Sequence, residues 1–342
     1  MYHKQMTEAN EPINMRTIAS LCNVSTATVS RVLHGSEKVS HETSTRVLDV
    51  IRKHGYLPNP LAQGLIKKKT WLIGVLVPDM YNQFVPTVVE PFAFEMEKAR
   101  YQCILNATKN DPVKERRAIE ETLRYYCEGL VIIGTRLVED QNRSYIEEVA
   151  RKIPVVMINA LETMANAFHV YNDECAAISS VVDYLVSMKK RNLCMVLGPM
   201  THNTFREKKK GFLSGLQRND IQSESACIIE GCEEYHDFGN VVDRLFRMNP
   251  PPNAIITGGD LVALGILKAL AMKNIRVPRD VMLVGYDNIP FAALSVPGLT
   301  TVDQHGAVLG RTAAEVLRKA LKGIPVNRDH KFQPTICKRE TA

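Results

Sequence analysis

Beyond about residue 71, the chain alternates short apolar runs with segments of helical periodicity, and this alternation restricts the fold more than any other feature. The strand-like runs cover residues 72–77, 103–107, 130–134, 155–158, 193–197, 254–257 and 282–286. Helical spacing covers residues 115–126, 175–189, 204–218, 261–273 and 304–321. Apolar strands separated by helices are typical of parallel sheets covered on both faces. The pattern predicts an α/β fold, and about 270 residues are too many for one sheet, so we expect two similar lobes.

The segment before residue 71 shows three short amphipathic helices instead. Their expected inward-facing residues are Met15, Ile18, Ala19, Cys22, Val29, Val32, Leu33, Val47, Leu48 and Ile51. The expected caps and turn residues are Asn14, Asn23, Ser25, Gly35, Ser40 and Gly55. Because the first two helices are joined by a short turn, the segment is predicted to be a small all-α helix-turn-helix domain with a third supporting helix.

This amino-terminal segment is also basic. Residues 1–70 contain ten lysine or arginine residues and five acidic residues, so they carry +5 of the formal net charge of +6. A basic module attached to a nearly neutral body indicates a polyanionic partner. Charge alone leaves open a second interpretation, a solvated basic surface without a partner.

The outward face of the second helix favours double-stranded DNA as that partner. Its residues Thr26, Ala27, Thr28, Ser30 and Arg31 are short or basic. Such a face fits a major groove, where Arg31 pairs with guanine edges and Thr26 and Ala27 contact bases or a thymine methyl group. The predicted DNA-contacting set also includes Thr17, Ser25 and His34. The alternative is that the three helices form only a packing module.

Residues 58–70 predict a short hinge helix, with Asn59 as its cap and Pro60 at its first position. A helix of about two turns is unstable in isolation and has nothing of its own to bury its apolar residues against, so a packing partner is implied. Two copies across a dimer axis would push Leu65 into a minor groove and place the lysines at 67–69 on flanking phosphates. The alternative is a plain basic linker.

Residues 14–66 resemble the DNA-binding region and hinge of the lactose-repressor (LacI) family of bacterial regulators. The matching stretches are VSTATVSRVLHG, VSHETSTRVLDVIRKHGYLPNP and LAQGL. In that family, the residues that match Thr26, Ala27 and Arg31 read the major groove, and the leucine that matches Leu65 wedges into the minor groove. The resemblance extends to about residue 340 through IGVLVPD, EGLVIIG, IPVVMIN, GPMTHNT, GGDLVALGIL, VPRDVMLVGYDN and LTTVDQ.

The resemblance implies a body similar to periplasmic sugar-binding proteins, in which the chain crosses three times between two lobes. It implies a helix-turn-helix domain at 1–57, a hinge helix and linker at 58–70, and an effector-binding and dimerisation domain at 71–342. The first lobe is expected to contain residues 71–171 and 303–323, and the second residues 172–302 and 324–340. Because no leucine heptads follow the last strand, a homodimer is expected rather than a coiled-coil tetramer.

Ligands of parallel α/β sheets bind beyond the carboxyl ends of the strands, so effector-binding candidates are sought in the cleft between the lobes. The candidates are Asn82, Phe84, Asn159, His202, Thr204, Lys208 and Asp260. Asp260 follows a strand, where a carboxylate accepts sugar hydroxyls, but it is equally placed to cap the next helix. Phe84 either stacks on a sugar ring or packs in the core. His202 and Thr204 are also ordinary turn and cap residues.

Position 208 departs from the family pattern, in which an effector-clamping arginine lies three residues before a Gly-Phe pair. Lys208 keeps the charge but lacks the planar fork of arginine, and Arg206 or Lys209 would compensate. Asn159 likewise stands where the family often has aspartate. Lys208, Arg206 and His202 together favour an anionic effector, and a solvated helix face is the alternative.

Several classes of protein are disfavoured. No apolar run approaches the ~20 residues that span a bilayer, and the start lacks the apolar stretch of a secretory signal, so a cytoplasmic protein is expected. The eight cysteines form no C-x-x-C pair and are interpreted as buried, reduced thiols, so no metal site and no cofactor are expected. The motifs G-x-G-x-x-G, G-x-x-x-x-G-K-[ST] and G-x-S-x-G do not occur after the strands, which argues against an enzyme.

The sequence therefore predicts a transcriptional repressor that binds a palindromic operator as a homodimer. Its expected effector is a sugar, sugar acid or sugar phosphate bound between the lobes. One alternative is a regulator that depends on a purine-type corepressor, and another is a sugar-binding protein without a role in gene regulation. Pro91 is expected to kink the helix after Phe84 or to delay its start.

Overall fold

The computed structural model describes residues 13–33, 36, 38–56, 69–134, 141–160, 164–222, 227–232 and 237–342. The chain divides into two compact units, Met1–Thr70 and Trp71–Ala342, and each is described by itself. Within the described ranges, no helix combines the length and the apolar character needed to cross a lipid bilayer.

The first unit contains three helices, α1 (Met15–Leu21), α2 (Thr26–Leu33) and α3 (His41–His54). Each helix begins at its predicted cap, because the side-chain oxygens of Asn14, Ser25 and Ser40 accept hydrogen bonds from backbone N–H groups of the first turn. Asn23, with φ of 49°, makes the left-handed turn between α1 and α2, and Gly55, with φ of 61°, ends α3. The predicted terminator Gly35 lies outside the described residues.

A small apolar core holds these three helices together. Its buried residues are Ile18, Ala19, Cys22, Val29, Val32 and Val47. The prediction that Leu48 faces this core is wrong, because Leu48 is 40% exposed. Val47, Val50 and Ile51 share one face of α3, and Leu48 lies about 100° around the helix from Val47.

The second unit contains two six-stranded sheets. The strands of the first sheet are β1 (Leu72–Val77), β2 (Gln102–Ala107), β3 (Gly129–Ile133), β4 (Val155–Ile158), β5 (Phe168–Asn172) and β11 (Asp329–Phe332). Those of the second are β6 (Leu193–Val196), β7 (Cys227–Ile229), β8 (Ala254–Thr257), β9 (Met282–Asp287), β10 (Thr300–Asp303) and β12 (Thr335–Cys337). The first sheet has the order β11-β5-β4-β3-β1-β2 and the second has the order β12-β10-β9-β8-β6-β7. All pairs are parallel except β10 with β12.

Helices cover these sheets, so the predicted α/β architecture of two lobes is confirmed. They are α4 (Phe84–Lys98), α5 (Pro112–Arg124), α6 (Arg143–Val149), α7 (Glu174–Ser187), α8 (Asn203–Arg218), α9 (Phe238–Phe246), α10 (Asp260–Met272), α11 (Pro290–Leu294) and α12 (Gly306–Leu321). Helices α4 and α12 share a core with the first sheet, through Phe92 and Leu309 among others. Helices α7 and α8 share a core with the second sheet, through Ile178 and Phe212 among others.

The chain crosses between the sheets after β5, after β10 and after β11. The expected placement of residues 324–340 in the second lobe does not hold for β11, because Asp329–Phe332 pairs with β5 of the first sheet. Strand β12 alone of this segment pairs in the second sheet. The last crossing therefore falls between residues 332 and 335, where the three connections bring the carboxyl ends of the two sheets together.

The local sequence pattern did not predict every element of this unit. Strands β5, β7 and β10 were not among the strand-like runs, because β5 contains the polar residues His169 and Asn172, β7 has only three residues, and three of the four residues of β10 are polar. The expected delay of the helix at Pro91 is wrong, since α4 runs continuously from Phe84 through Pro91. Its start is set instead by Asn82, whose Oδ1 accepts a hydrogen bond from Phe84 N at 2.9 Å.

The contact between α7 and α8 requires a glycine at position 211. A methyl group there would lie 2.3 Å from the backbone oxygen of Cys175. We expect Gly211→Ala to lower the free energy of unfolding by about 1–3 kcal/mol, because overpacking outweighs the ~1 kcal/mol gain in helix propensity. Urea unfolding followed by the fluorescence of Trp71, the single tryptophan, measures this.

Ser214→Ala is the matched control for this substitution, because Ser214 is exposed on the same helix. It should leave the urea midpoint unchanged or slightly higher. Equal midpoints for Gly211→Ala and Ser214→Ala would contradict the close approach of the two helices.

Candidate effector and nucleic-acid sites

The two lobes are joined at the carboxyl ends of their strands by the side chain of Gln304. Its Oε1 accepts a hydrogen bond from Asn159 Nδ2 at 2.9 Å, and its backbone oxygen accepts one from Asn172 Nδ2 at 3.0 Å. Its Nε2 donates to Asp287 Oδ1 at 2.5 Å. Asn159 directly follows β4 and Asn172 ends β5, both in the first sheet, whereas Asp287 ends β9 of the second. The predicted candidate Asn159 therefore lies in a network that spans the cleft.

Asp260 lies beneath this network and is fully buried. Its interpretation as a helix cap is wrong, because Gly259 occupies the N-cap position and Asp260 is the first residue of α10. Its Oδ2 accepts from Ile289 N at 2.9 Å, and its Oδ1 accepts from Thr301 Oγ1 at 2.6 Å. Burial raises the pKa of Asp260 to about 6 in spite of these donors. Both carboxylate oxygens are thus already used to hold the loop after β9.

Asp287 was not among the sequence candidates, although it occupies a better position for a ligand. It ends β9, is half-buried, and has a φ of 117°. Burial raises its pKa to about 8, more than the nearby Lys208 lowers it. Among the described residues, only Gln304 donates to this carboxyl group, and it does so at Oδ1. A carboxylate at the carboxyl edge of a sheet, in the stretch GYDN, was the signal that could have identified it.

Lys208 is buried at the same end of the second sheet, with 3% of its surface exposed. Its Nζ donates to the backbone oxygen of Gly258 at 2.9 Å and lies 3.8 Å from Glu174 Oε1. The Nζ also lies 3.7 Å from the centroid of the Tyr286 ring. The ammonium group is therefore enclosed by a carbonyl, a carboxylate and an aromatic face.

Glu174 was also missed by sequence reasoning. It is 4% exposed, and its Oε1 accepts a hydrogen bond from Thr204 Oγ1 at 2.6 Å. Burial raises the pKa of Glu174, and the charge of Lys208 opposes that shift. The predicted candidates Thr204 and Lys208 thus meet at a carboxylate whose position after β5 looks in sequence like an ordinary first turn of a helix.

The remaining candidates have local roles. Phe84 is 7% exposed and belongs to the core of the first lobe, which fits the core-packing interpretation. Asn82 starts α4 with its side chain. His202 is at the N-cap position of α8 without a side-chain capping bond, and its ring lies 6.1 Å from that of Phe205. The two cations expected to compensate for Lys208 point elsewhere: Arg206 donates to the Met200 carbonyl and Lys209 pairs with Glu230.

In the first unit, α2 exposes Thr26, Ala27 and Arg31, and Thr28 and Ser30 are half-buried. We call Thr26, Ala27 and Arg31 the recognition face. Arg31 is exposed, and no described residue forms an ion pair with it. Ser25 and Thr17 are exposed but serve caps: Ser25 Oγ accepts from Thr28 N, and Thr17 donates to Asn14 Oδ1. The predicted DNA contacts His34, Asn59 and Leu65, with the hinge helix, lie outside the described residues.

Two family models match this chain. Residues 14–59 match "Bacterial regulatory proteins, lacI family", and residues 182–342 match "Periplasmic binding protein-like domain". The first match covers the three helices with the recognition face. The second begins in α7 and covers most of the second lobe and both final strands.

Whole-length relatives agree with these matches. Catabolite control protein A of Priestia megaterium is 28% identical over 90% of this chain and 92% of that protein. The transcriptional repressor CytR of Escherichia coli K12 is 28% identical over 94% of this chain and 92% of that protein. The ribose operon repressor of Bacillus subtilis is 26% identical over 91% of this chain and 93% of that protein.

Solved structures share the fold. A Lac repressor dimer bound to operator and the anti-inducer ONPF matches with a TM-score of 0.84 at 23% identity, covering 97% of this chain and 99% of that chain. A LacI-family regulator from Silicibacter pomeroyi matches with a TM-score of 0.83 at 25% identity, covering 96% and 99%. The resemblance deduced from the helix-turn-helix motif is confirmed for its two parts: the chain contains a lacI-family helix-turn-helix domain and a periplasmic binding protein-like domain, and its relatives match it over nine-tenths of its length or more.

Proposed function

We propose that this protein is a transcriptional repressor that binds a palindromic operator as a homodimer and responds to a small-molecule effector. The observation that carries the proposal is the presence, in one chain, of a basic helix-turn-helix unit and a two-lobed unit with a polar network at its cleft. A solute-binding protein has no use for the first, because an exposed arginine on an acid-free helix serves a polyanion. Its place of action is then the cytoplasm, beside the chromosome.

The proposed domain roles follow this division. Residues 1–57 bind the major groove through the recognition face, residues 58–70 form the hinge, and residues 71–342 bind the effector and the second protomer. A symmetric dimer matches the two half-sites of a palindrome. The Lac repressor, in its solved complex, is a dimer bound to its operator, which supports the same assembly here.

A sugar-type effector is supported by the chemistry of the cleft and by the names of relatives such as the ribose operon repressor. Carboxylates and amides that converge at one place accept and donate to vicinal hydroxyl groups. Asp287 is the proposed acceptor, since both oxygens of Asp260 already hold the protein together. Asn159 and Gln304 supply the neighbouring amides.

The proposed coupling passes through the angle between the lobes. An effector that inserts between Asp287 and Gln304 competes with the hydrogen bond that joins the lobes. A hinge helix of about two turns has little stability of its own, so a differential binding free energy of a few kcal/mol is enough to form or melt it.

The first test of this proposal concerns Arg31. An operator is first selected from a random duplex library with the wild-type protein. Arg31→Ala should then weaken binding to that operator by about 10- to 100-fold, or ~1–3 kcal/mol, because a base-reading contact is lost. Fluorescence anisotropy at fixed salt measures the change.

Arg52→Ala provides the control, because Arg52 is exposed on α3 and pairs with Asp49. It should affect the selected operator and random duplex equally and by less than tenfold. A loss in Arg31→Ala that is the same on both duplexes would assign Arg31 to phosphate contact and remove the base-reading role.

The second test concerns the protonation of Asp287. The native carboxyl has a pKa of about 8, against 3.8 for its ordinary value, so the native state retains a proton between these pH values that the unfolded chain releases. The contribution of Asp287 to the free energy of unfolding therefore falls as pH rises from about 4 to about 8. Asp287→Asn keeps the oxygen that accepts from Gln304 and tolerates positive φ, so the variant should gain stability relative to wild type as pH rises.

Urea midpoints at pH 5, 6, 7 and 8, followed by Trp71 fluorescence, measure this difference. Asp280→Asn is the control. Arg276 lowers the pKa of Asp280 to about 2, so the stability from this pair is lost only below about pH 4. Its midpoint should differ from wild type by a constant amount between pH 5 and 8. A constant difference for Asp287→Asn as well would contradict the raised pKa of this carboxyl group.

A further inference from the structure

The ammonium group of Lys208 is satisfied within the protein. One direction is taken by the hydrogen bond to the Gly258 carbonyl at 2.9 Å, one by Glu174 Oε1 at 3.8 Å, and one by the face of Tyr286 at 3.7 Å. A lysine has three N–H donors, so this arrangement accounts for all of its polar directions. An arginine at the same position would extend a planar fork with five donors beyond such an enclosure.

The polar cluster that contains this lysine holds three carboxyl groups. The carboxyl groups of Glu174, Asp260 and Asp287 all interact with one another or with Lys208, and each has its pKa raised by burial. Arg206 donates to the Met200 carbonyl and Lys209 pairs with Glu230. Arg339, whose charge lowers the pKa of Asp260, donates to the Leu299 carbonyl and to Asn288 Oδ1. An anionic ligand at this place would meet carboxyl groups without a cation that is open to it.

Two of the buried polar atoms left without a partner near Lys208 are acceptors. Within the part of the chain that the structure describes, Glu174 Oε2 and Asn172 Oδ1 have no hydrogen-bond partner, and the Tyr286 hydroxyl group, which can both donate and accept, has none either. Glu174 pairs with Lys208, and the ring of Tyr286 lies against the Lys208 ammonium group. Asn172 donates a hydrogen bond to Gln304. Unpaired buried acceptors require donors. Hydroxyl groups of a ligand supply donors, and a carboxylate or phosphate dianion does not.

We infer that the effector of this protein is an uncharged, hydroxyl-rich molecule, and that the internal ion pair of Lys208 with Glu174 closes the site to sugar acids and sugar phosphates. The inference rests on the proposed function and narrows its ligand class. It replaces the anionic effector that the sequence alone favoured, because that expectation assumed a lysine facing the ligand.

The experiment compares the full-length wild type with Lys208→Met, Glu174→Gln and the double variant. Melting temperatures are measured with gluconate, glucose 6-phosphate and inorganic phosphate against sodium chloride of equal ionic strength. The readout is the part of each anion's stabilisation that is lost when Lys208 is replaced. This difference leaves out the effect of any anion that binds to the basic first unit. The double variant keeps the position uncharged and so controls for an unpaired buried carboxylate.

In the wild type, the anions should produce no stabilisation that Lys208→Met abolishes. In Glu174→Gln, the released ammonium should bind at least one of the anions and raise the melting temperature by about 2–4 °C, and the double variant should lose this gain. Stabilisation of the wild type by any of the anions that is lost in Lys208→Met would overturn the inference. A Glu174→Gln variant that gains no anion binding would also contradict it, because Glu174 would not then be what holds the charge.

Failure of the proposed function is visible separately. It would appear as a wild-type protein that selects no operator from the random library, whatever the anions do. Failure of the present inference would appear as anion binding through Lys208 in a protein that still binds its operator.

Discussion

The hydrogen bonds of Gln304 are the contact on which the arrangement of the cleft depends. One amide side chain accepts from Asn159 of the first sheet and donates to Asp287 of the second. Buried amides that lack partners cost free energy, so these bonds fix where the carboxyl edges of the two sheets stand relative to each other. Three chain crossings at the same place bring the partners together from positions far apart in sequence.

Three acidic residues near the cleft have different roles because their burial and their hydrogen-bond partners differ. Asp260 has both oxygens bound by the backbone and by Thr301, and it holds the loop after β9. Glu174 neutralises Lys208. Asp287 keeps one oxygen without a donor from the described residues and retains its proton to about pH 8. Asp260 is fully buried and both of its oxygens are engaged, whereas Asp287 is half-buried and has one oxygen without a donor from the described residues, so Asp287 is the better placed of the two to meet a ligand.

What sequence could and could not predict follows from the range of each interaction. Caps such as Asn14 and Ser40 act within one turn, so the helices of the first unit were predictable in detail. The central strands are apolar along their whole length and were also predictable, whereas β5 carries His169 and Asn172 and was not. Asn159 and Gln304 are 145 residues apart, and no local pattern indicates that they meet. Only the structure shows that Asp287, through Oδ2, has a carboxyl oxygen without a donor among the described residues.

The hydrogen bond between Gln304 and Asp287 also indicates how a ligand in the cleft changes the contact between the two lobes. A hydroxyl group that enters between the two side chains replaces a contact between the lobes with two contacts to the ligand. A hydrogen bond to a carboxyl group that retains its proton contributes about 0.5–1.5 kcal/mol, and that amount changes a two-state population by roughly 2- to 13-fold. A ligand that engages both lobes through this one bond therefore supplies part of the differential free energy that switching requires. Asp260 is buried beneath this bond, and its hydrogen bonds to Ile289 N and Thr301 Oγ1 lie within the second lobe, so they do not depend on the bond between the lobes.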